Sequence, residues 1–163
     1  MAGRFLLTLA SLVGLALATA VAAQSTPDGA TLYDAHCAVC HQADGSGITA
    51  PPTFPPLDGE VGRVAAAGEG GRQALIDVVL FGIKGDLTVD GVSYAYGQEM
   101  PGWRKILSDE EIASLLNHVL ASWSNPDALA AASASVSAKQ VADERARELS
   151  PEHVYARWQK VTP

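Results

Sequence analysis

Residues 37–41 read Cys37-Ala38-Val39-Cys40-His41, and they contain the only two cysteines in a chain of 163 residues. Two thiols three positions apart lie on one side of a helical turn, and the imidazole one residue later is carried at a set angle to both. That spacing is the attachment signature of a c-type haem, with two thioethers to the vinyl groups and a proximal nitrogen for the iron. Two other uses of the pair are weaker. A thioredoxin-like dithiol sits between a strand and a helix and needs no following histidine. Here Gly29 to His41 lacks strand alternation, and Asp28 is a plausible N-cap for a helix leading into the motif. A disulfide between Cys37 and Cys40 closes only a tiny loop and stabilises little. Two cysteines are also too few for a disulfide scaffold or a four-thiolate zinc site. This length allows one compact domain with an appendage, so the motif organises most of the chain.

The segment before it reads as an export signal. Arg4 precedes an uncharged run from Phe5 to Ala23, ending in Ala20-Val21-Ala22-Ala23 before Gln24. An uncleaved anchor is the competing reading, because the run approaches the ~20 apolar residues that span a bilayer. The strongly apolar part fades into small residues near Ala18, which favours cleavage and a periplasmic mature protein. No cysteine stands at the junction, against lipid anchoring. The formal net charge is -7, which excludes a general nucleic-acid binder and leaves a basic protein partner or plain solubility. Without Arg4 the mature surplus is -8, and all of it falls before Pro126, since five basic and five acidic residues balance beyond it.

A sixth iron ligand follows by elimination. Met1 leaves with the signal, so Met100 is the one methionine of the mature chain. It lies between Gln98-Glu99 and Pro101-Gly102, away from the apolar helical stripes where a methionine usually serves as core filler. A bis-histidine site would need His36, His118 or His153. His36 adjoins an attachment cysteine, His118 belongs to a later helix and His153 to the tail. Met100 is therefore the expected ligand opposite His41.

With these motifs in this order, the stretch Thr26 to Asn125 resembles a class I mono-haem cytochrome c of the bacterial periplasmic type. The resemblance implies a mostly helical fold of three to five helices around one covalently bound haem c. It implies a crossing of the N- and C-terminal helices at Gly29 and Tyr33. Family features also match Gly45-Ser46-Gly47 and Pro55-Pro56-Leu57-Asp58-Gly59. A proline carbonyl there, first Pro55 and second Pro56, is implied to accept a hydrogen bond from the free nitrogen of His41. Loop-stiffening prolines are the plainer reading.

Arg72 to Ile83 is a nearly unbroken apolar run. Its composition allows a buried strand, while its length and the family pattern favour a helix over the haem. Leu87 to Tyr94 alternates around Asp90-Gly91 and predicts a two-residue β-hairpin just before the ligand loop. Tyr94, Tyr96 and Trp103 are candidates for the haem crevice or a propionate contact, with ordinary core packing close behind. Ser108-Asp109-Glu110-Glu111 predicts a capping box, followed by one apolar face through Ile112, Leu115, Leu116, Val119, Leu120 and Trp123, with His118 on its flank. The domain boundaries are expected as signal 1–23, haem domain 24–125 and extension 126–163. The last holds an Ala/Ser-rich linker or weak helix from Ala128 to Ala138, a charged helical stretch from Gln140 to Leu149, and a short helix opened by Ser150-Pro151-Glu152. Its Tyr155 and Trp158 are expected to dock on the haem domain or on another subunit.

The functional expectation is an exported carrier of single electrons with no catalytic site of its own. Its acidic haem domain is matched to a basic docking surface on redox partner proteins. A cytochrome subunit of a periplasmic dehydrogenase or reductase is the alternative, and a haem sensor or peroxidase-like enzyme is a more distant one.

Overall fold

The computed structural model describes residues 26–94, 99–129 and 135–162. The export segment, Tyr96 and the middle of the Ala/Ser stretch lie outside the described residues. The described residues fold as helices joined by three short antiparallel ladders. Helix α1 (Gly29–His36) starts at Asp28, whose carboxylate accepts the Thr31 amide at 2.9 Å, and leads directly into the one-turn α2 (Ala38–His41). Helix α5 (Asp109–Leu120) opens with the expected box. The Glu111 amide donates to Ser108 Oγ at 3.2 Å, and the Ser108 amide to the Glu111 carboxylate at 2.8 Å.

Helices α1 and α5 cross at Gly29. A Cβ there would collide with the Ser114 carbonyl oxygen and with His118 Cβ at 2.5 Å, so only glycine permits this approach. One turn on, Tyr33 is 1% exposed, and its ring lies edge-on to Trp123 with centroids 5.3 Å apart. Its hydroxyl donates to the Gln42 carbonyl at 2.6 Å and so anchors the residue just after the Cys37–His41 motif. His118 is half-buried at this crossing, with its ring 5.9 Å from that of Tyr33.

The apolar run becomes helix α4 (Glu69–Phe81), which follows α3 (Glu60–Ala66). It begins three residues earlier than the run and stops short of Ile83. Gly82, at φ +79°, turns the chain out of the helix into β3 (Gly82–Ile83). The predicted hairpin is formed by β4 (Leu87–Val89) and β5 (Val92–Tyr94), with Asp90 at φ +50° and Gly91 at φ +77°, the pair of positive angles that a two-residue turn requires. Two further ladders have no alternating pattern to announce them. They join β1 (Ile48–Thr49) to β2 (Pro52–Phe54), and β3 to β6 (Met100–Pro101).

The expected boundary at Asn125 is not a break between independent parts. Helix α6 (Asn125–Leu129) runs across it. Asn125 is fully buried, accepting the Gly62 amide and donating to the Val119 carbonyl, each at 2.9 Å. The extension then returns over the core. Asn117 of α5 exchanges two 2.8 Å hydrogen bonds with the backbone of Val136. Helix α7 (Ala138–Arg145) is held by Arg145, whose guanidinium reaches Asp109 at 2.7 Å and the Leu107 carbonyl at 2.9 Å. The charged stretch is helical only as far as Arg145, and Glu148 at φ +50° lies in the turn that leads to α8 (Pro151–Trp158). Val136, Val141 and Val154 are all buried, so the extension shares one core with the residues before it. Among the described residues no helix is long and apolar enough to cross a membrane.

Candidate functional site: a cavity lined by two thiols, an imidazole and a thioether

One cavity of about 250 Å³ lies between α2, the 53–57 loop, α4, the β4–β5 hairpin, the Met100 strand and α5. Cys37, Cys40, His41, Pro55, Tyr94 and Met100 all line it. Both cysteines are free thiols rather than a disulfide, and burial pushes the Cys37 thiol up to about 11. Burial thus disfavours the Cys37 thiolate.

His41 is buried. Its Nδ1 lies 3.0 Å from the Pro55 carbonyl oxygen. A carbonyl only accepts, so Nδ1 carries the proton and Nε2 keeps its lone pair. Burial lowers the His41 pKa, against the opposing pull of the Pro55 carbonyl. The ring is therefore neutral near pH 7, as a metal-binding imidazole must be. The loop between the two residues is tied back on itself to make this contact. The Gly47 amide donates to the His41 carbonyl at 3.0 Å, and the Leu57 and Asp58 amides donate to the Gly45 carbonyl at 2.8 and 3.1 Å. The Pro56 alternative gives way to Pro55 for this contact.

Met100 is placed by backbone. It stands opposite Ile83 in the β3–β6 ladder, next to the Gly82–Pro101 pair. A Cβ on Gly82 would strike the Met100 carbonyl oxygen, so the glycine that ends α4 also admits the methionine strand. Beyond it, the Trp103 and Arg104 amides donate to the Val79 and Leu80 carbonyls of α4 at 2.9 and 3.0 Å. A stretch read from sequence as loop is thus clamped to the end of a helix.

Trp103, expected among the crevice residues, lies outside the cavity lining. Its half-buried ring packs on His36, with centroids 4.7 Å apart, and against the core. The histidines other than His41 also fall elsewhere: His36 on Trp103, His118 at the helix crossing and His153 exposed in α8. A wall residue that sequence reasoning missed is Trp158 of α8. The sequence signal was the pair Tyr155 and Trp158 in this helix, expected to dock on the haem domain or another subunit, but nothing near them in sequence points to the cavity.

The donors suit a particular group. Among the described residues no set of three or more His, Cys, Asp or Glu side chains would hold a bare metal ion. One neutral imidazole and one thioether in an apolar cavity, with two thiols on its wall, instead match an iron whose remaining four ligands come from a porphyrin. Apolar side chains such as Leu75, Val79, Leu115 and Val119 face the same space. The residues present fit a covalently held haem.

Comparison with known proteins agrees. The sequence profile of the family described as Cytochrome c matches residues 27–123. The chain is 40% identical over 158 residues to a protein named cytochrome c-552 from Thermus thermophilus, covering 97% of each. A second cytochrome c-552 sequence from Thermus thermophilus is 40% identical over 134 residues, 82% of this chain and 96% of its own length. The gluconate 2-dehydrogenase cytochrome c subunit of Pantoea cypripedii is 36% identical over 126 residues, or 77% of this chain but 25% of that subunit.

Proposed function

The chain belongs to the cytochrome c family, and from that premise we propose that it carries single electrons in the periplasm on one covalently bound haem. The haem supplies a one-electron ferric/ferrous couple when bound. The chain does the rest. Cys37 and Cys40 would tether the group, His41 Nε2 and the Met100 thioether would bind its iron, and Pro55 holds the proton on His41 Nδ1. With two protein side chains holding the iron, a substrate would find no free site on it, which supports a carrier rather than a catalyst. A thioether ligand favours the ferrous state and a fairly positive potential. The observation that carries this reading is the convergence of Cys37, Cys40, His41 and Met100 on one apolar cavity.

Partners approach where the attachment turn meets solvent. Val39, between the two cysteines, is 78% exposed, and the surplus of -8 on residues 24–125 supports a basic partner surface. The test is the ferric optical spectrum of the holoprotein. It is expected to show the weak near-red band of methionine-ligated haem, and Met100→Ala is expected to abolish it. A high-spin wild-type spectrum with ready carbon monoxide binding would sink the carrier reading in favour of a sensor or peroxidase-like protein.

A second reading, a cytochrome subunit of a periplasmic dehydrogenase, draws on the match to the gluconate 2-dehydrogenase subunit. Against it stands the use made of the extension, whose Tyr155 and Trp158 are already packed on the haem domain of the same chain. Copurification with a larger redox subunit that depends on residues 126–163 would reinstate it.

A further inference from the structure

We propose that Trp158 is the closing wall of the haem cavity, and that by excluding water there it raises the reduction potential set by His41 and Met100. The proposal rests on the haem reading above and concerns a residue outside the matched cytochrome c segment. Among the described residues, every other one that lines the cavity falls between Cys37 and Val119, and Trp158 alone arrives from the extension, as the last residue of α8.

Its position is over-determined by contacts to α4 and to the residues just after β3, the strand that pairs with Met100. The Lys84 amide donates to the Pro151 carbonyl at 3.3 Å, at the start of α8. Tyr155 lays its ring against Gly85, where a Cβ would come within 2.5 Å of Cδ1, and its hydroxyl donates to the Asp86 carbonyl at 2.7 Å. Arg157 stands 3.2 Å from the fully buried Asp77 of α4. Helix α8 is thus pinned to α4 and to residues 84–86. Ile83 and Gly85, at that docking site, line the cavity themselves, and Ile83 pairs with Met100. The tryptophan therefore closes the cavity beside the strand that presents the thioether.

The direction of the effect follows from charge. The ferric centre carries one more positive charge than the ferrous one, and an apolar surround free of water disfavours the more charged form. Glu60 and Glu99 also line the cavity, and their carboxylates favour the ferric form. Keeping water out works against them. Replacing the indole by a methyl group admits solvent and moves the balance toward ferric.

The experiment uses full-length holoprotein, with midpoint potentials from spectroelectrochemistry and the ferric near-red band recorded alongside. Trp158→Ala is expected to lower the ferrous/ferric equilibrium constant threefold to tenfold, tenfold being about 59 mV for one electron. Imidazole added to the ferric protein is expected to displace Met100 at a concentration at least threefold lower. Trp158→Phe, which keeps an aromatic wall, should restore most of both. If Trp158→Ala does not accumulate, Trp158→Leu is expected to shift the potential the same way by less. An unchanged potential in a folded variant overturns the proposal even if the variant is less stable, because a packing role alone predicts that result. A wild-type protein without the near-red band would instead defeat the methionine-ligated carrier reading, so the two failures are distinct.

Discussion

The haem domain and the extension are held in place by different means. Around the cavity, the important placements are made by backbone and by glycine. The Pro55 carbonyl meets His41, Gly82 admits the Met100 strand, and α4 carbonyls take the Trp103 and Arg104 amides. The extension is held by long side chains reaching back. Arg145 binds Asp109 and two carbonyls near α5, Arg157 meets Asp77, and Tyr155 reaches Asp86. Charge divides the same way. The first region carries the whole acidic surplus, and the second is neutral, although two of its arginines pair with acids of the first. A cofactor site needs positions fixed to fractions of an ångström, which short backbone contacts supply. An added segment needs only enough anchors to stay put.

This contrast is open to attack by substitution. The largest effect is expected from Gly29→Val, which forces a branched side chain into the α1–α5 crossing. The loss should be about 3 kcal/mol, the upper range for overpacking a closed contact, read from guanidinium unfolding. A loss under ~0.5 kcal/mol, the size typical of a surface change, would mean that the crossing is not close-packed.

The next effect belongs to the seam between the regions. Burial pushes Asp77 from its ordinary 3.8 up to about 7, with Arg157 opposing the rise and Glu144 adding to it. Glu144 of α7 is itself 5% exposed and paired to Arg147 at 3.0 Å and Arg157 at 3.5 Å. The folded chain therefore holds a proton at Asp77 that the unfolded chain releases earlier. Its contribution to stability is fully present below the unfolded value and is lost as pH rises through about 7. Relative to wild type, Asp77→Asn is expected to gain stability across that window, with a slope of at most about 1.4 kcal/mol per pH unit for one proton. Chemical unfolding at pH 4, 5.5, 7 and 8 checks this, and a difference that does not vary with pH contradicts it.

The smallest expected effect is that of Tyr155→Phe. It removes one hydrogen bond to the Asp86 carbonyl and leaves the ring on Gly85, so about 1 kcal/mol or less should be lost, with the near-red band unchanged. Loss of that band would show that the extension holds Met100 more directly than the contacts indicate.

Much of the haem domain was legible because its signals are local. The Cys37–His41 spacing, the Asp28 cap, the Ser108/Glu111 box and the Asp90-Gly91 turn each lie within five residues. Met100 was reached by counting methionines, and Pro55 by resemblance. Crevice and core packing for Trp103 could not be separated in sequence, because an aromatic beside the Met100 stretch has two faces to pack against; in the structure its ring lies on His36 and against the core. The β3–β6 ladder stayed hidden because two residues show no period, and Asn125 because its partners are Gly62 and Val119 on other elements.

The sequence by itself determined the cofactor chemistry, since covalent attachment demands fixed residue types at fixed spacing and leaves little to the fold. It determined the helix ends for the same reason, through caps made within one turn. Only the tertiary structure decided what surrounds the cofactor. Which carbonyl meets His41, which glycine lets Met100 in, and the arrival of Trp158 from the far end of the chain depend on contacts between residues distant in sequence. Such contacts form because apolar faces must be covered and buried polar groups must be paired, and no short pattern encodes which partner does it.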